Sequence, residues 1–362
     1  MAQEDNNQQI EVDEATDMDD EAYGDNDEYI SPPAPAPAQL SSAQPRNNHA
    51  LYLAVVQHPG LSDGEWKKIE NDRLGTLFAT LNIDPSYSTS TAANIYDALD
   101  MQHAVFLRSL DGKLCLSPIS DDIQNAIDIG TGTGLWALDF AAAHPLFHQV
   151  IGTDLSPIQP SLVPPNLSFL IDDAEAEWQY HQKFDLIHSR MLTGSLKDWD
   201  RFYSQCYENL APGGYVEMQD ICLPLRSDDG TLTSDHALDK WSMLMLEACV
   251  KLERPLDVAK SHKKRMEAAG FVDVVEVVYK WPQNSWAKDP KLKEIGNWTM
   301  INMLEGLQAL TVGPFTRGLG WSIEEVETFL VDVRANVKDR KMHVYWPMYF
   351  VYGRKPEKSQ KK

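Results

Sequence analysis

Ala126-Ile-Asp128-Ile-Gly130-Thr-Gly132-Thr-Gly134-Leu-Trp-Ala137 decides the fold. The apolar run Asn125–Ile129 is a strand by composition, and Leu135–Ala143 is a helix. Glycines between them let the backbone turn tightly and approach a ligand where any Cβ would collide. The helix start behind them offers unpaired N–H groups and a positive dipole end. A dinucleotide loop would need its third glycine where Leu135 stands, and no Gly-Lys-Ser/Thr follows to make a Walker loop. The spacing D-x-G-x-G-x-G remains. Asp128 at the strand end suits a cationic amino group, such as that of a methionine moiety, better than a pyrophosphate.

Outward from the loop, strands and helices alternate. Val150–Asp154, Leu167–Ile171, Phe184–Ser189 and Tyr215–Asp220 are expected strands, with a helix over Trp199–Leu210. Short apolar strands separated by helices imply a parallel sheet covered on both faces. The rhythm then changes. Helices are expected over Asp235–Leu252 and Asp257–Ala269, and long strands over Phe271–Trp281 and His343–Arg354. Between those strands lie expected helices at Pro290–Leu310 and Ser322–Val337, the second opened by a Ser322/Glu325 capping box. Before the glycine loop, Ser62–Leu81 and Ala92–Leu107 carry helical periodicity. The expected organisation is an unstructured tail over 1–48, a helical lid region over 49–120, and a catalytic domain over 121–362 with a helical insertion near 282–342.

Half of the net charge of −22 falls in the first 49 residues, where twelve acids between Glu4 and Glu28 face one base, Arg46. With Ser31-Pro-Pro-Ala-Pro-Ala-Pro37 behind them, these residues bury too little apolar surface to offset chain entropy. The rest of the chain is also acidic, so no direct nucleic-acid contact is expected through phosphate neutralisation. No apolar run is long enough to span a bilayer. The start resembles neither a secretory signal nor a mitochondrial presequence. Cys115, Cys206, Cys222 and Cys249 form no C-x-x-C pair, which fits a reducing compartment, cytoplasmic or nuclear, and implies no metal site. His262-Lys-Lys-Arg265 and the lysines from Lys355 to Lys362 are solvated charge or import patches.

Asp154, twenty residues beyond Gly134 at the next strand end, meets the place of ribose hydroxyls in a doubly wound sheet. Asp172-Asp173-Ala174 follows the third strand, where an acid can accept from an adenine amino group. A short-chain NAD-dependent reductase is disfavoured, because no tyrosine has lysine four residues on.

"IDIGTGTGLWALDFA", "IGTDLSPIQP", "FLIDDAEAEW", "FDLIHSRML" and "LAPGGYVEMQD" resemble the successive blocks of class I S-adenosylmethionine-dependent methyltransferases. "ALDMQHAVFLRSLDGKLCLSPI", with Asp172-Asp-Ala-Glu-Ala-Glu-Trp178, is similar to the LaeA-like fungal methyltransferases. The clear Asn-Gly-Arg…Tyr segment that often precedes the latter block is missing from Arg73–Tyr96. The resemblance implies an α/β Rossmann-like methyltransferase fold: a mostly parallel seven-stranded sheet, helices on both faces, an antiparallel last strand. It implies S-adenosylmethionine as cofactor, with Asp128, Gly130, Gly132 and Gly134 at its methionine end. Asp154 and Leu155 fall to the ribose side, and Asp172, Asp173 and Ala174 to the adenine. His188, at the fourth strand's end, is the candidate base beside the sulfonium, although a histidine there also serves simply to pack. Trp178 either covers the adenine or belongs to the core. Three functions remain open: a regulator of secondary metabolism or development working with velvet-type proteins or a second methyltransferase, a biosynthetic small-molecule enzyme, and a non-catalytic binding module. Trp286, Trp298, Met300, Met303, Phe315 and Trp321 of the insertion are a candidate lining for a flat apolar substrate, or internal packing.

Overall fold

A computed structural model of the chain describes residues 9–13, 89–120 and 123–357, with side chains of the first helix from Leu99 onward. The expected helix over Ser62–Leu81 lies outside the described residues. In chain order the elements are α1 (Thr89–Ser109), β1 (Asn125–Ile129), α2 (Leu135–Ala143), β2 (Gln149–Asp154), β3 (Leu167–Ile171) and β4 (Phe184–Arg190). There follow α3 (Trp199–Asn209), β5 (Leu210–Ile221), α4 (Ala237–Lys251), α5 (His262–Ala268) and β6 (Val272–Pro282). The chain ends with α6 (Pro290–Gly313), α7 (Ile323–Lys338) and β7 (Tyr345–Arg354).

The seven strands form one sheet in the order β3-β2-β1-β4-β5-β7-β6. β1 to β5 are parallel, and β7 runs antiparallel between β5 and β6. The expected architecture is therefore present, and the strand order reverses between β1 and β4, where β/α folds open a ligand crevice. Side chains of one strand alternate between two cores because strand period is two. Ala126 packs with Trp136, Phe140 and Leu186 beneath α2, while Ile127 and Ile129 pack with Ile187, Phe202 and Tyr203 on the α3 side. Both faces are covered, which explains the continuous apolar runs.

The insertion builds a third core. Trp286, Met303 and Phe315 are buried, the latter two with Trp241, Leu330 and Phe350 around them. Trp298, Met300 and Trp321 pack against its edge. Of the two readings left open for these aromatic and methionine side chains, a substrate lining or internal packing, the structure shows packing. Ser322 and Glu325 form the anticipated capping box, with Glu325 Oε2 accepting from the Ser322 N–H at 2.7 Å. Beside shifts of a few residues at other element ends, two departures stand out. The expected helix over Asp257–Ala269 starts as a 3-10 turn at Ala259–Ser261 before α5. Within the stretch expected to lack structure, residues 9–13 are ordered, and Val12 bridges Ala287 in antiparallel fashion. Among the described residues no helix is long and apolar enough to cross a membrane.

Candidate active site

β1 delivers the chain into the glycine loop at the carboxyl edge of the sheet. Gly132 and Gly134 both lie in the left-handed region, at φ 57° and 84°, which glycine enters without a Cβ penalty. Their surroundings differ. A Cβ on Gly134 would stand 2.4 Å from Phe169 Cζ, so this glycine makes room for β3. A Cβ on Gly130 would meet Leu192 at 2.7 Å. A Cβ on Gly132 would meet nothing closer than Leu99 Cδ1 at 4.0 Å. Gly132 alone of the three opens onto free space.

The loop is held at both polar atoms of Gly132. Its N–H donates to Asp154 Oδ2 at 2.9 Å, and its carbonyl accepts from Gln159 Nε2 at 2.7 Å. Asp154 Oδ1 accepts from the Ser156 N–H at 2.9 Å. Burial raises the Asp154 carboxyl above the usual range, and the N–H bonds from Ser156 and Gly132 pull against it. Gln159 had no motif to reveal it.

Asp128 is nearly buried, and both its oxygens are engaged inside the protein. Oδ2 accepts from the Thr131 hydroxyl at 2.6 Å, and Oδ1 pairs with His188 Nδ1 at 2.8 Å. The parallel register sets Asp128 beside His188, and Trp136 stacks on the imidazole at 3.7 Å and 4°. His188 has no exposed surface and is not part of the cleft wall. Its contacts orient Asp128, which is the packing role the sequence also left open for this histidine.

Burial holds the imidazole below its ordinary pKa, opposed by Asp128. A neutral buried imidazole leaves the unfolded chain binding the extra proton, so stability should fall as pH drops below about 6.5. In thermal melts between pH 7.5 and 5.5, His188→Asn should lose less of its midpoint than wild type. Parallel curves would refute the assignment.

The cleft above this floor is walled by Gly130, Gly132, Asp154 and Ile158 on one side and Arg190, Met191 and Leu192 on the other. α1 lays Leu99, Gln102, His103 and Phe106 over it. Arg190 is half-buried; its Nε donates to Gln219 Oε1 at 2.6 Å, and its guanidinium lies 4.5 Å from the Phe106 ring centroid. Burial lowers its pKa to about 10. One guanidinium nitrogen meets His103 Nδ1 at 3.0 Å, and His103 Nε2 reaches Asp139 at 3.0 Å. Met191, a bulky residue at φ 55°, turns the chain at the end of β4, a conformation that costs energy and clusters at functional sites. Gly130, Gly132 and Asp154 were expected here from the sequence, whereas Arg190, Met191, Leu192 and the α1 residues were not named as site residues although they fall inside the blocks that carry the family resemblance.

Leu155, Asp172, Asp173 and Ala174 adjoin Asp154 in sequence or in space without lining this cleft. Asp172 Oδ2 accepts from the Tyr180 hydroxyl at 2.7 Å, and its N–H donates to the Asp154 carbonyl at 3.1 Å. Asp173 is exposed and accepts from the Glu175 N–H. The Ala174 carbonyl accepts from Trp178 Nε1 at 3.1 Å. Trp178 itself is buried edge-on against Tyr180 and Phe202, a core position rather than a ligand cover. Leu155, after Asp154, is 40% exposed. Of the basic run at 262–265, His262 is fully buried against Asp220 at 3.0 Å and Arg265 pairs with Asp200, so the run is not a free surface patch.

Residues 101–277 match a family described as a methyltransferase domain. Methyltransferase pytC of Aspergillus terreus is 40% identical over 260 residues, covering 72% of this chain and 80% of that protein. The secondary metabolism regulator LAE1 of Cochliobolus heterostrophus is 36% identical over 268 residues, covering 72% of this chain and 87% of that protein. Among solved structures, a Haemonchus contortus phosphoethanolamine N-methyltransferase 2 with S-adenosylhomocysteine aligns at 20% identity and a TM-score of 0.42, over 71% of this chain and 53% of that one. With this strand order, this loop and these relatives, the chain belongs to the class I S-adenosylmethionine-dependent methyltransferases, in their LaeA-like branch.

Proposed function

We propose that this methyltransferase works as a LaeA-like regulator of secondary metabolism, holding S-adenosylmethionine over Gly132. The observation that carries the cofactor placement is the open Cβ direction of Gly132 beside a buried carboxylate, Asp154. That carboxylate suits the ribose hydroxyls, exchanging its Gly132 and Ser156 N–H bonds or sharing them. Asp128 fixes the loop through Thr131 and lends negative charge to the methionine end, with Gly130 and Gly134 shaping the bend. Leu155 offers an apolar rim, and Asp172, Asp173 and Ala174 lie toward the adenine.

When bound, the cofactor supplies a methyl group on a sulfonium leaving group. What remains for the protein is alignment and exclusion of water, which can account for about 7–11 kcal/mol of barrier in favourable cases. The roof of α1 and the half-buried Arg190 serve that end. No side chain need act as base.

The regulatory reading is supported by likeness to proteins named as regulators. Deleting the gene in its fungal host should lower many unrelated metabolites together. Accumulation of one compound lacking a methyl group, with the others unchanged, would replace regulation by a biosynthetic role, a reading that likeness to pytC keeps in play. Velvet-type proteins or a second methyltransferase are the proposed partners, in the cytoplasm, the nucleus or both. Pull-downs with the full chain that recover neither class would overturn the partner assignment.

A further inference from the structure

The sequence Ile10-Glu11-Val12-Asp13 alternates apolar and acidic side chains within an otherwise polar tail. It lies as an extended segment against the start of the insertion. Val12 bridges Ala287, the Asp13 N–H donates to the Trp286 carbonyl at 3.0 Å, and the Glu11 carbonyl accepts from the Lys288 N–H at 2.8 Å. This is strand addition onto a short exposed edge, in which main-chain bonds supply affinity and alternate side chains supply selection.

The selection here is electrostatic. Glu11 pairs with Lys288 at 3.0 Å. Asp13 pairs with Lys293 and lies 3.9 Å from Arg340. Arg340 Nε is buried and has no hydrogen-bond partner, a donor left over for another acceptor. Ile10 and Val12 are partly covered, while Trp286 beneath the edge is fixed by Nε1 donating to the Val344 carbonyl at 2.8 Å. The edge is thus rigid, basic and matched to the acidic tail of its own chain.

We infer that the edge at Trp286–Lys288, with Lys293 and Arg340, is a docking site for an extended peptide of alternating apolar and acidic residues. Its occupant is the chain's own tail segment Gln9–Asp13, bound in cis. The helix that supplies Lys293, α6, also contacts the end of α1. Lys291 of that helix pairs with Asp111 at 2.6 Å and donates to the Ser109 carbonyl at 3.2 Å, and Glu294 pairs with Arg108 at 2.7 Å. Those partners sit at the end of α1, the roof of the cleft. The inference does not rest on the regulatory reading, since it needs only the edge and its charges.

The test uses the full chain and a labelled peptide of residues 7–16. In hydrogen exchange, the amides of Asp13 and Lys288 should be protected together in wild type and lose protection together in Glu11→Lys/Asp13→Lys. In fluorescence anisotropy the peptide should bind that variant at least roughly tenfold more tightly than wild type, whose own tail competes at high effective concentration. Adding Lys293→Glu/Arg340→Glu should abolish peptide binding, while unchanged S-adenosylmethionine binding by each variant shows that the fold is intact. Free exchange at Asp13 in wild type, or equal peptide binding with and without the basic pair, would overturn the inference.

Discussion

Gly132→Asp abolishes S-adenosylmethionine binding and leaves the fold standing. The expected loss by calorimetry is at least ~100-fold, about 3 kcal/mol, because the new side chain enters the space the cofactor needs. Aspartate tolerates the left-handed region at a cost of about 1 kcal/mol, so the thermal midpoint should fall by only about 2–4 °C. Gly134→Ala is the contrast. It adds a single carbon, yet that carbon meets the Phe169 ring at 2.4 and 2.8 Å. Displacing β3 packing costs about 1–3 kcal/mol beyond the backbone strain. The smaller substitution should therefore be the more destabilising and the larger one the more damaging to binding. If both variants lose stability and binding in the same proportion, Gly132 does not face the cofactor.

That difference between neighbouring glycines was beyond the reach of sequence. The loop motif announces a bend and a ligand, and all three glycines share the left-handed conformation. Which of them faces packing and which faces the cleft depends on where Phe169 and Leu192 arrive from distant strands. The strands β1, β2 and β4 were legible to within a residue because burial on both faces leaves apolar runs, and β3, exposed at the sheet edge, was legible from its own short apolar run. β5 was less so. It begins at Leu210, paired with Phe184, before a shift of register across Ala211–Gly214 restores pairing at Tyr215. Those residues look like a turn, and locally they are one, with Gly213 at φ 84°.

The same distance limits explain the acids. Asp128, Asp154 and Asp172 all follow the expected pattern at three strand ends. Only the first two share the cleft wall. β3 is the outermost strand on its side, and Tyr180 arrives from the loop beyond it to take the Asp172 carboxylate. The docked tail was hidden for another reason. Four alternating residues among twelve acids carry too little signal to stand out from a solvated tail, and the basic edge that receives them lies more than 270 residues further on.

Glu217→Leu should be the most damaging single substitution outside the cofactor contacts. Glu217 has no exposed surface, and its carboxylate gathers four hydrogen bonds. The Leu116 N–H reaches its two oxygens at 2.8 and 2.9 Å, the Ser117 N–H donates at 2.7 Å, and Gln219 Nε2 donates at 2.7 Å. Two residues before Leu116, the Leu114 carbonyl collects Trp136 Nε1 at 2.8 Å and Arg190 at 3.1 Å. Thus Glu217, Gln219 and Arg190 pin the segment that follows α1 to the centre of the sheet. Leucine fills similar volume without accepting anything, leaving two main-chain N–H groups unpaired and the Gln219 amide nitrogen with only the Leu114 carbonyl, at 3.3 Å. It also removes the negative charge that offsets burial of the Arg190 guanidinium. Stranding buried hydrogen-bond donors costs about 1–3 kcal/mol each, so chemical denaturation should show a loss of several kcal/mol. Glu217→Gln, which keeps one accepting oxygen, should lose less. At temperatures where the leucine variant is still folded, cofactor affinity should also be weaker, since α1 roofs the cleft and is anchored through residues 114–117. A stability within 1 kcal/mol of wild type would mean that the segment is held by its apolar contacts alone and that the roof does not depend on this carboxylate.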